Sequence, residues 1–533
     1  MKTTVKEQLD ALLKHADRVR SAGTLSLFAR EPDRLDRLCH EVAGVRVDLS
    51  KQLVDDQALS QLVAAAQAAG VNNARQAMRA GAHINQTEQR AALHVALRAH
   101  EDFPVSSEVS EVLSRMDALC ARVIQGVATG ARGHAFTDVV NIGIGGSHLG
   151  PQLVCEALGN RDSSGPRVHF LANVDGGDCA DLFARLAPQT TLFVIASKSF
   201  TTSETQLNAR SARAWLTSAG IADRELQKHF IAVTARPDRA QAFGIASENI
   251  YPMWDWVGGR FSLWSAIGLP VALHLGMNTF RALLSGGAAM DAHFFDAPLE
   301  ANLPVLMALV SLWNAYHLGA GSYAVVPYDN RLRSLPDYLQ QLEMESNGKS
   351  VSLDNTPLDC DSALVTWGGL GTNAQHAFFQ LLHQGTRFIP VDFVVALTHP
   401  AGREDHHDAL VANCFAQAEA LMIGRRFTPE PADNNGIELW RHRESPGNRP
   451  SSMISMQALT PSSLGALLAL YEHKTFVQSV LWNINAFDQW GVELGKELAD
   501  SILVELQGAA GGASSRDPST DALIRAYRKA RAG

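Results

Sequence analysis

Short apolar runs alternate with polar turns and helix-compatible sequence through most of this chain, and this alternation constrains its fold more than any other feature. The runs cover residues 139–144, 167–171, 192–196 and 230–233 and, after an intervening helical stretch, residues 323–326, 364–367 and 388–394. A buried strand followed by a helical crossover is typical of a parallel sheet. The pattern therefore predicts an α/β protein with two α/β units.

The two ends of the chain have a different texture. Residues 1–131 have apolar residues at helical spacing, such as Leu9, Leu12 and Leu13, and are expected to be mainly helical. The stretch GAAGGASSRDPST from Gly508 favours a flexible linker before a short basic helix pattern. We predict a helical segment over 1–110 that packs on the second α/β domain, a first α/β domain over 111–285, a second over 286–505 and a tail over 506–533.

Charge and composition limit the partners of the chain. A net charge of -9 argues against nucleic acid, because polyanion binders usually present a basic face. The six cysteines are widely spread without a C-x-x-C pair, which favours reduced thiols. The amino terminus lacks the pattern of a secretory signal, and no run of about twenty residues is apolar enough to cross a bilayer. We therefore expect a cytoplasmic protein that needs no membrane.

The first candidate site is the glycine-rich stretch NIGIGGSHLGP at residues 141–151. It runs from a predicted strand into a predicted helix start, where backbone amides near Gly146 and Ser147 could bind a phosphate. The dinucleotide pattern G-x-G-x-x-G fails because His148 occupies the third glycine position. The stretch therefore predicts an anion site, and His148 is given no catalytic role.

The second candidate site is ASKSFTTSET at residues 196–205, again at the end of an apolar run. Its hydroxyl groups and one lysine could enclose a phosphate dianion. A hydroxyl-rich helix cap is the alternative that the segment alone leaves open. The candidate anion ligands are Ser197, Lys198, Ser199, Thr202 and Thr205.

Two blocks carry single cations in unusual surroundings. In DWVGGRFSLWSAIG, two glycines allow a tight turn that presents Arg260 beside an apolar run. Arg260 could form a structural ion pair or hold an anion or anionic intermediate. In LWNINAFDQWGVELGK, Lys496 closes a block of aromatic, amide and carboxylate residues, which could be core or could wall a pocket.

Two further blocks carry groups that can move protons. In QQLEMESNGK, Glu343 and Glu345 are two residues apart, so on a helix they point in different directions, and such pairs usually mark a solvated face. In GGLGTNAQHAFFQLLHQGT, His376 and His383 are seven residues apart, near one helical face. A histidine beside a glycine turn is more often structural than catalytic.

Taken together and in this order, the blocks resemble the phosphoglucose isomerase family, from about Gly81 through Lys496. The resemblance implies two sugar-isomerase (SIS) domains, each a three-layer α/β/α arrangement with a parallel sheet. It also implies a catalytic base at Glu345, in MESNGK, and a homodimer in which His376 enters the neighbouring subunit's site. Two departures stand out: His148 lies where the family usually has Asp, and Ser199 where Thr is commoner.

The same resemblance implies a reaction, the reversible isomerisation of glucose 6-phosphate and fructose 6-phosphate in glycolysis and gluconeogenesis. His376 and Lys496 would open the sugar ring, Glu345 would move a proton between C2 and C1 through a cis-enediolate, and Arg260 would stabilise the negative charge. Gln341 would contact sugar hydroxyls. Three alternatives are a non-catalytic phosphosugar-binding regulator, an isomerase that also accepts mannose 6-phosphate, and an amidotransferase-type isomerase.

Neither a metal nor another cofactor is expected. The run EDHHD at residues 404–408 contains possible ligands, but neighbouring residues rarely converge on one ion and the H-E-x-x-H spacing is absent. The family resemblance likewise implies metal-free chemistry. No redox cofactor is needed, because oxidation at one sugar carbon balances reduction at the next.

Overall fold

The computed structural model describes residues 1–99, 103–159, 163–399, 402–429, 436–507 and 516–532. The chain divides into two compact units, Met1–Ala486 and Phe487–Gly533. The strands are β1 Cys39–Val42, β2 Val45–Asp48, β3 Asp138–Ile142, β4 Arg167–Leu171, β5 Thr191–Ala196, β6 Phe230–Thr234, β7 Ile250–Pro252, β8 Ser322–Pro327, β9 Val365–Gly368, β10 Val391–Thr398 and β11 Ser451–Ala458.

The helices follow in chain order. They are α1 Thr3–Asp10, α2 Leu13–Ala22, α3 Thr24–Arg30, α4 Arg34–Leu38, α5 Asp56–Ala69, α6 Val71–Arg79, α7 Ser106–Ile124, α8 Leu149–Leu158, α9 Gly176–Ala184, α10 Ser203–Ser218, α11 Asp223–Leu226, α12 Pro237–Phe243, α13 Leu269–Leu275, α14 Met277–Asp296, α15 Leu303–Tyr316, α16 Leu335–Leu339, α17 Phe379–Gln384, α18 Glu404–Ile423, α19 Leu439–Arg443, α20 Pro461–Trp482, α21 Glu493–Leu506 and α22 Pro518–Ala532. Among the described residues, none of the helices is long and apolar enough to cross a membrane.

The first sheet is entirely parallel, with the strand order β4-β3-β5-β6-β7. Its central strands β3, β5 and β6 are buried along their whole length, which explains why their sequences are largely apolar. The chain goes from β3 to β4 on one side and then crosses to β5 on the other side. The order of strands therefore reverses between β3 and β5, where ligands bind in open α/β sheets.

The second sheet has the order β1-β2-β11-β10-β8-β9. Strands β8 to β11 are parallel, whereas β1 and β2 form a hairpin that pairs with β11 in antiparallel orientation. The two predicted α/β units with parallel sheets are confirmed. The expectation of a mainly helical amino-terminal stretch omitted this hairpin, which extends the second sheet.

Helix α20 lies at the centre of the first compact unit and is buried along nearly all its length. Its start is fixed by a capping box, in which Thr460 and Ser463 exchange side-chain and backbone hydrogen bonds. It ends at Trp482, and the next residue, Asn483, has the left-handed backbone angles of a helix cap. This helix carries several buried charges into the interior.

One buried charge network joins α20, α14 and the turn before α7. Arg98 donates to both oxygens of Asp291 at 2.7 Å and to Glu472 at 2.6 Å. His473 lies 2.6 Å from Asp291, and the Trp264 indole donates to Glu472 at 2.7 Å. Burial alone raises the pKa of Asp291, but the Arg98 charge and these hydrogen bonds lower it to about 2.

The division into segments 1–110, 111–285, 286–505 and 506–533 stays a prediction. The glycine-rich part of the predicted linker, residues 508–515, lies outside the described residues. The helix pattern that follows it corresponds to α22. Within the second compact unit, Arg516 donates to Glu505 on α21.

Candidate active site

Two loops leave the carboxyl ends of β3 and β5, which are neighbours in the first sheet. The loop after β3 contains the 3-10 turn Gly145–Ser147, and the loop after β5 contains residues 197–202. Both predicted anion-binding segments therefore lie at the point where the strand order reverses. This is the edge of the sheet at which ligands bind in open α/β folds.

The glycines of the first loop permit close contacts between backbones. A Cβ on Gly146 would lie 2.0 Å from the carbonyl oxygen of Gly259, so a side chain there would displace the loop. Gly145 has a φ of +58° and lies beside the side-chain nitrogen of Gln341. The loop is thus packed directly against the turn that carries Arg260.

The hydroxyl loop after β5 is tightly folded on itself. Ser197 Oγ accepts a hydrogen bond from the backbone of Phe200 at 3.1 Å and lies 3.4 Å from Thr202 Oγ1. Phe200 has a φ of +53°, which is strained for a bulky residue. Thr205 is buried at the start of α10, whereas Ser199 is exposed. Thr202 is the N-cap residue of α10, and its side chain makes no capping hydrogen bond, so the helix-cap alternative lacks the contact that defines it.

Lys198 points its ammonium group at the turn before Arg260. Its Nζ donates to the carbonyl oxygens of Asp255 at 3.2 Å and Val257 at 3.3 Å, and lies 3.6 Å from the Asp255 carboxylate. Burial, partly offset by Asp255, lowers the pKa of Lys198. The lysine therefore ties the hydroxyl loop to the arginine turn.

Arg260 is buried and held by several contacts. Its Nε donates to Ser346 Oγ at 2.7 Å and its Nη2 donates to the carbonyl oxygen of Ala486. Its Nη1 lies 3.6 Å from Glu345 Oε2. These contacts fix the plane of the guanidinium, so its charge has a definite direction at the site.

Glu345 lies at the end of a π-helical turn, Gln340–Glu345. Gln341 Nε2 donates to Glu345 Oε2 at 2.9 Å, and the Glu345 side chain is partly exposed. A carboxylate with one fixed amide donor and a nearby guanidinium can accept and return a proton while the cation stabilises negative charge. π turns of this kind are often found at functional sites.

The two remaining predicted catalytic residues lie on other elements. His376 is exposed on the 3-10 turn Asn373–His376, which follows β9, and takes no part in the contacts described above. Lys496 belongs to the second compact unit, on α21, with its Nζ 3.0 Å from Glu493. The contacts thus bring together Arg260, Gln341, Glu345 and the glycine loop.

Sequence reasoning missed two residues that support this site. Ser346 holds Arg260, and Asp255 holds Lys198. Ser346 follows Glu345 directly in MESNGK, so its position was the available signal. His148, given no catalytic role, packs edge-on against Phe170 with 5.5 Å between ring centres.

Among the residues that the structure describes, no group of three His, Cys, Asp or Glu side chains is arranged to hold a metal ion. The residues 404–408 form the exposed start of α18. The fold and the site define an α/β protein with one parallel and one mixed sheet, in which a polar loop, a fixed guanidinium and a carboxylate meet at the edge of the first sheet.

Comparison with known proteins identifies the family. Residues 48–524 match the family model described as phosphoglucose isomerase. Glucose-6-phosphate isomerase of Cupriavidus metallidurans is 49% identical over 532 residues, covering 98% of both chains, and that of Pseudomonas fluorescens is 46% identical over 97% of this chain and 96% of its own. The chain belongs to the phosphoglucose isomerase family.

A solved structure agrees with this assignment. The crystal structure of a glucose-6-phosphate isomerase from Chlamydia trachomatis is 31% identical, covers 98% of this chain and 99% of its own, and superposes with a TM-score of 0.84. The resemblance inferred from the motifs is thereby confirmed for the family and for the fold class.

Proposed function

We propose that this protein interconverts glucose 6-phosphate and fructose 6-phosphate as an aldose-ketose isomerase of glycolysis and gluconeogenesis. The observation that carries the proposal is the Glu345 carboxylate, which Gln341 holds at 2.9 Å and the buried Arg260 approaches at 3.6 Å. This pairing fits a reaction that removes a proton beside a carbonyl and develops negative charge on oxygen. The near-full-length relatives named as glucose-6-phosphate isomerases support the same reaction.

The substrate phosphate is bound by the two loops at the edge of the first sheet. Backbone amides near Gly146 and the hydroxyl groups of the second loop supply donors for a dianion. The proposed ligands are Gly146, Ser147, Ser197, Lys198, Ser199, Thr202 and Thr205. Lys198 contributes positive charge and also joins this loop to the Arg260 turn.

Isomerisation then requires two proton-transfer stages. His376 and Lys496 open the ring by exchanging protons with the ring oxygen and the anomeric hydroxyl. Glu345 removes the C2 proton and returns it to C1, and a second proton passes from the oxygen on C2 to the oxygen on C1. Arg260 stabilises the cis-enediolate, and Gln341 contacts sugar hydroxyls. Oxidation at one carbon equals reduction at the other, so the reaction balances without a redox partner.

The active protein is proposed to be a cytoplasmic homodimer in which His376 completes the site of the neighbouring subunit. Its exposure on the turn after β9 is consistent with such a role. Glu345 and Arg260 lie together at one site, and this pairing argues against a non-catalytic phosphosugar-binding regulator.

The direct test is an assay of the purified protein with several hexose phosphates. Formation of fructose 6-phosphate from glucose 6-phosphate, followed by a coupled reaction, is the expected result. Binding of either sugar phosphate without turnover would favour the regulator. Turnover of mannose 6-phosphate at a comparable kcat/KM would instead identify a dual-specificity isomerase.

A further inference from the structure

The π turn Gln340–Glu345 carries side chains that point in opposite directions. A π turn takes roughly one residue more than an α turn, so residues four apart lie almost one above the other. Gln341 and Glu345 therefore share the face that looks into the site, and their side chains are hydrogen-bonded. Glu343 lies half a turn away and is buried on the opposite face.

The Glu343 carboxylate meets two other buried polar groups, from Lys474 and Tyr323, and the three are hydrogen-bonded to one another; the buried Asp392 carboxyl is a further charged neighbour of Lys474. Lys474 Nζ lies 2.9 Å from Glu343 Oε1 and 3.2 Å from Oε2, and it donates to the Tyr323 hydroxyl at 3.0 Å. That hydroxyl in turn donates to Glu343 Oε1. The three side chains come from the π turn, from β8 and from α20, so they connect the turn to the second sheet and to the central helix.

The ammonium group of Lys474 is further fixed by aromatic rings. It lies 4.2 Å from the centre of the Tyr323 ring and 5.3 Å from that of Tyr471. Cations over aromatic faces are attracted by the ring quadrupole. A second link runs from the same helix to the same segment, because Asn347 Nδ2 donates to the carbonyl oxygen of Thr475 at 3.2 Å.

A buried ion pair is a poor source of stability, because removing both charges from water offsets most of their attraction. An apolar pair of similar volume often stabilises a fold as well or better. Unlike an apolar pair, the polar triad fixes the orientation of its side chains, because each hydrogen bond sets a distance and an angle. The orientation of Glu343 also affects Glu345, because the two residues are only two positions apart on the same short turn.

We propose that Glu343, Lys474 and Tyr323 form an anchor that sets the orientation of the π turn and thereby aims the Glu345 carboxylate at the substrate. The three are positioning residues, since they lie behind the turn and act through Glu345. The inference rests on the proposed function and extends it by assigning a role to the buried face of the turn.

The anchor has a specific kinetic consequence. A displacement of about 1 Å at a reacting group can lower the rate on the order of 10²-fold. Substrate affinity depends mainly on the phosphate loops of the first sheet, which make none of the anchor contacts, and the turn itself adds only the proposed contact of Gln341 with the sugar hydroxyls. Loss of the anchor therefore lowers kcat and leaves KM nearly unchanged.

The test compares two variants that separate stability from orientation. Glu343→Met leaves the Lys474 charge buried without its carboxylate and lowers the melting temperature. The double variant Glu343→Met/Lys474→Met removes both charges at similar volume, and the neighbouring Asp392 carboxyl loses an attractive and a repulsive partner together. Much of the melting temperature should therefore return. We expect its kcat to stay about tenfold or more below wild type, with KM within about twofold. Recovery of wild-type kcat together with stability would overturn the proposal.

Arg34→Met is the matched control. Arg34 is a buried cation that donates to the carbonyl oxygens of Ser50, Gln52 and Val54 at 2.6 to 2.9 Å, and it belongs to the amino-terminal segment. Its loss is expected to lower the melting temperature and to leave kcat at the wild-type value. An equal fall in kcat would mean that destabilisation alone slows turnover, which also overturns the proposal.

Hydrogen-deuterium exchange gives a readout that does not depend on activity. In the double variant, peptides that cover residues 338–350 are expected to exchange faster, while those over the first sheet are unchanged. Unchanged exchange at 338–350 would refute the anchor even if the protein proves not to be an isomerase. Should the double variant fail to fold, Tyr323→Phe removes one hydroxyl only, and it should lower kcat a few-fold at constant KM; wild-type kcat would count against the anchor.

Discussion

Replacing Glu345 by glutamine tests the proposed base with very little change in shape. The amide oxygen can still accept the hydrogen bond from Gln341, whose Nε2 lies 2.9 Å from Glu345 Oε2. Arg260 keeps its hydrogen bonds to Ser346 and to the carbonyl oxygen of Ala486, so its guanidinium remains in place. The substitution therefore removes basicity while the surrounding contacts persist.

The expected magnitude follows from the role. General-base catalysis contributes typically 10²- to 10⁴-fold, so Glu345→Gln should lower kcat at least 10²-fold, equivalent to about 2.7 kcal/mol of transition-state stabilisation. KM should change by no more than about threefold, because the two phosphate loops are untouched. The Glu345 carboxylate, 3.6 Å from Arg260, is itself negative and does not hold an anionic substrate, so its loss should not weaken substrate binding.

The assay couples fructose 6-phosphate formation to a dye-linked or nicotinamide-linked reaction and is repeated in deuterated water to follow exchange at C2 by NMR. Both turnover and C2 exchange should fall together, because both need the same proton abstraction. Glu248→Gln, on an exposed turn, is the control and should behave as wild type. A kcat loss below tenfold, or C2 exchange that continues at the wild-type rate, would refute the assignment of Glu345 as the base.

Three other outcomes are expected. His376→Ala and Glu345→Gln chains should each be nearly inactive, yet unfolding and refolding them together should restore about a quarter of wild-type activity, because half the dimers are mixed and each has one intact site; no recovery in mixed dimers confirmed by mass spectrometry would contradict a shared site. Gly146→Ala should lower both kcat and the melting temperature, because the new Cβ would lie 2.0 Å from the Gly259 carbonyl oxygen; wild-type values for both would show that the loops can separate without consequence. Asp291→Asn should lower the free energy of unfolding at pH 7 by about 2 kcal/mol, and since the pKa of Asp291 falls on folding to about 2, urea titrations should show the gap to wild type narrowing as the pH drops from about 4 to 2. A gap that is constant with pH would be inconsistent with this pKa.

The sequence was sufficient for the first four strands of the first sheet, each of which is largely apolar or includes an apolar stretch. β4 was predicted with its observed bounds, and β3, β5 and β6 to within two residues at each end. Strand β11 was missed because SSMISMQA mixes serine and methionine and has no continuous apolar run, although it is largely buried between β10 and β2. The β1–β2 hairpin was missed because CHEV and VRVD are short and partly polar, and because the strand that joins them to the sheet, β11, is distant in sequence.

The candidate site was predictable as a set of residues but not as a geometry. The motifs pointed to Arg260, Gln341 and Glu345 separately, whereas their contacts depend on how the turn after β7 packs on the glycine loop. The π turn itself has no sequence signal. The pair Glu343 and Glu345 was therefore expected to mark a solvated face. In the structure, Glu343 is buried against Lys474.

Strand β2 pairs with β11 through residues as distant as Asp48 and Met453, so the second sheet cannot be completed until late in synthesis of the chain. Every strand of the first sheet lies between residues 138 and 252, so that sheet has all its members as soon as this stretch has left the ribosome. The β1–β2 hairpin is made earlier than any of them, yet its neighbour β11 is among the last strands to emerge. Sequence-distant pairings of this kind form slowly, and an unpaired strand edge is exposed to misassembly while it waits. A nascent chain halted before residue 450 would therefore hold a complete first sheet and an amino-terminal hairpin with no strand to join.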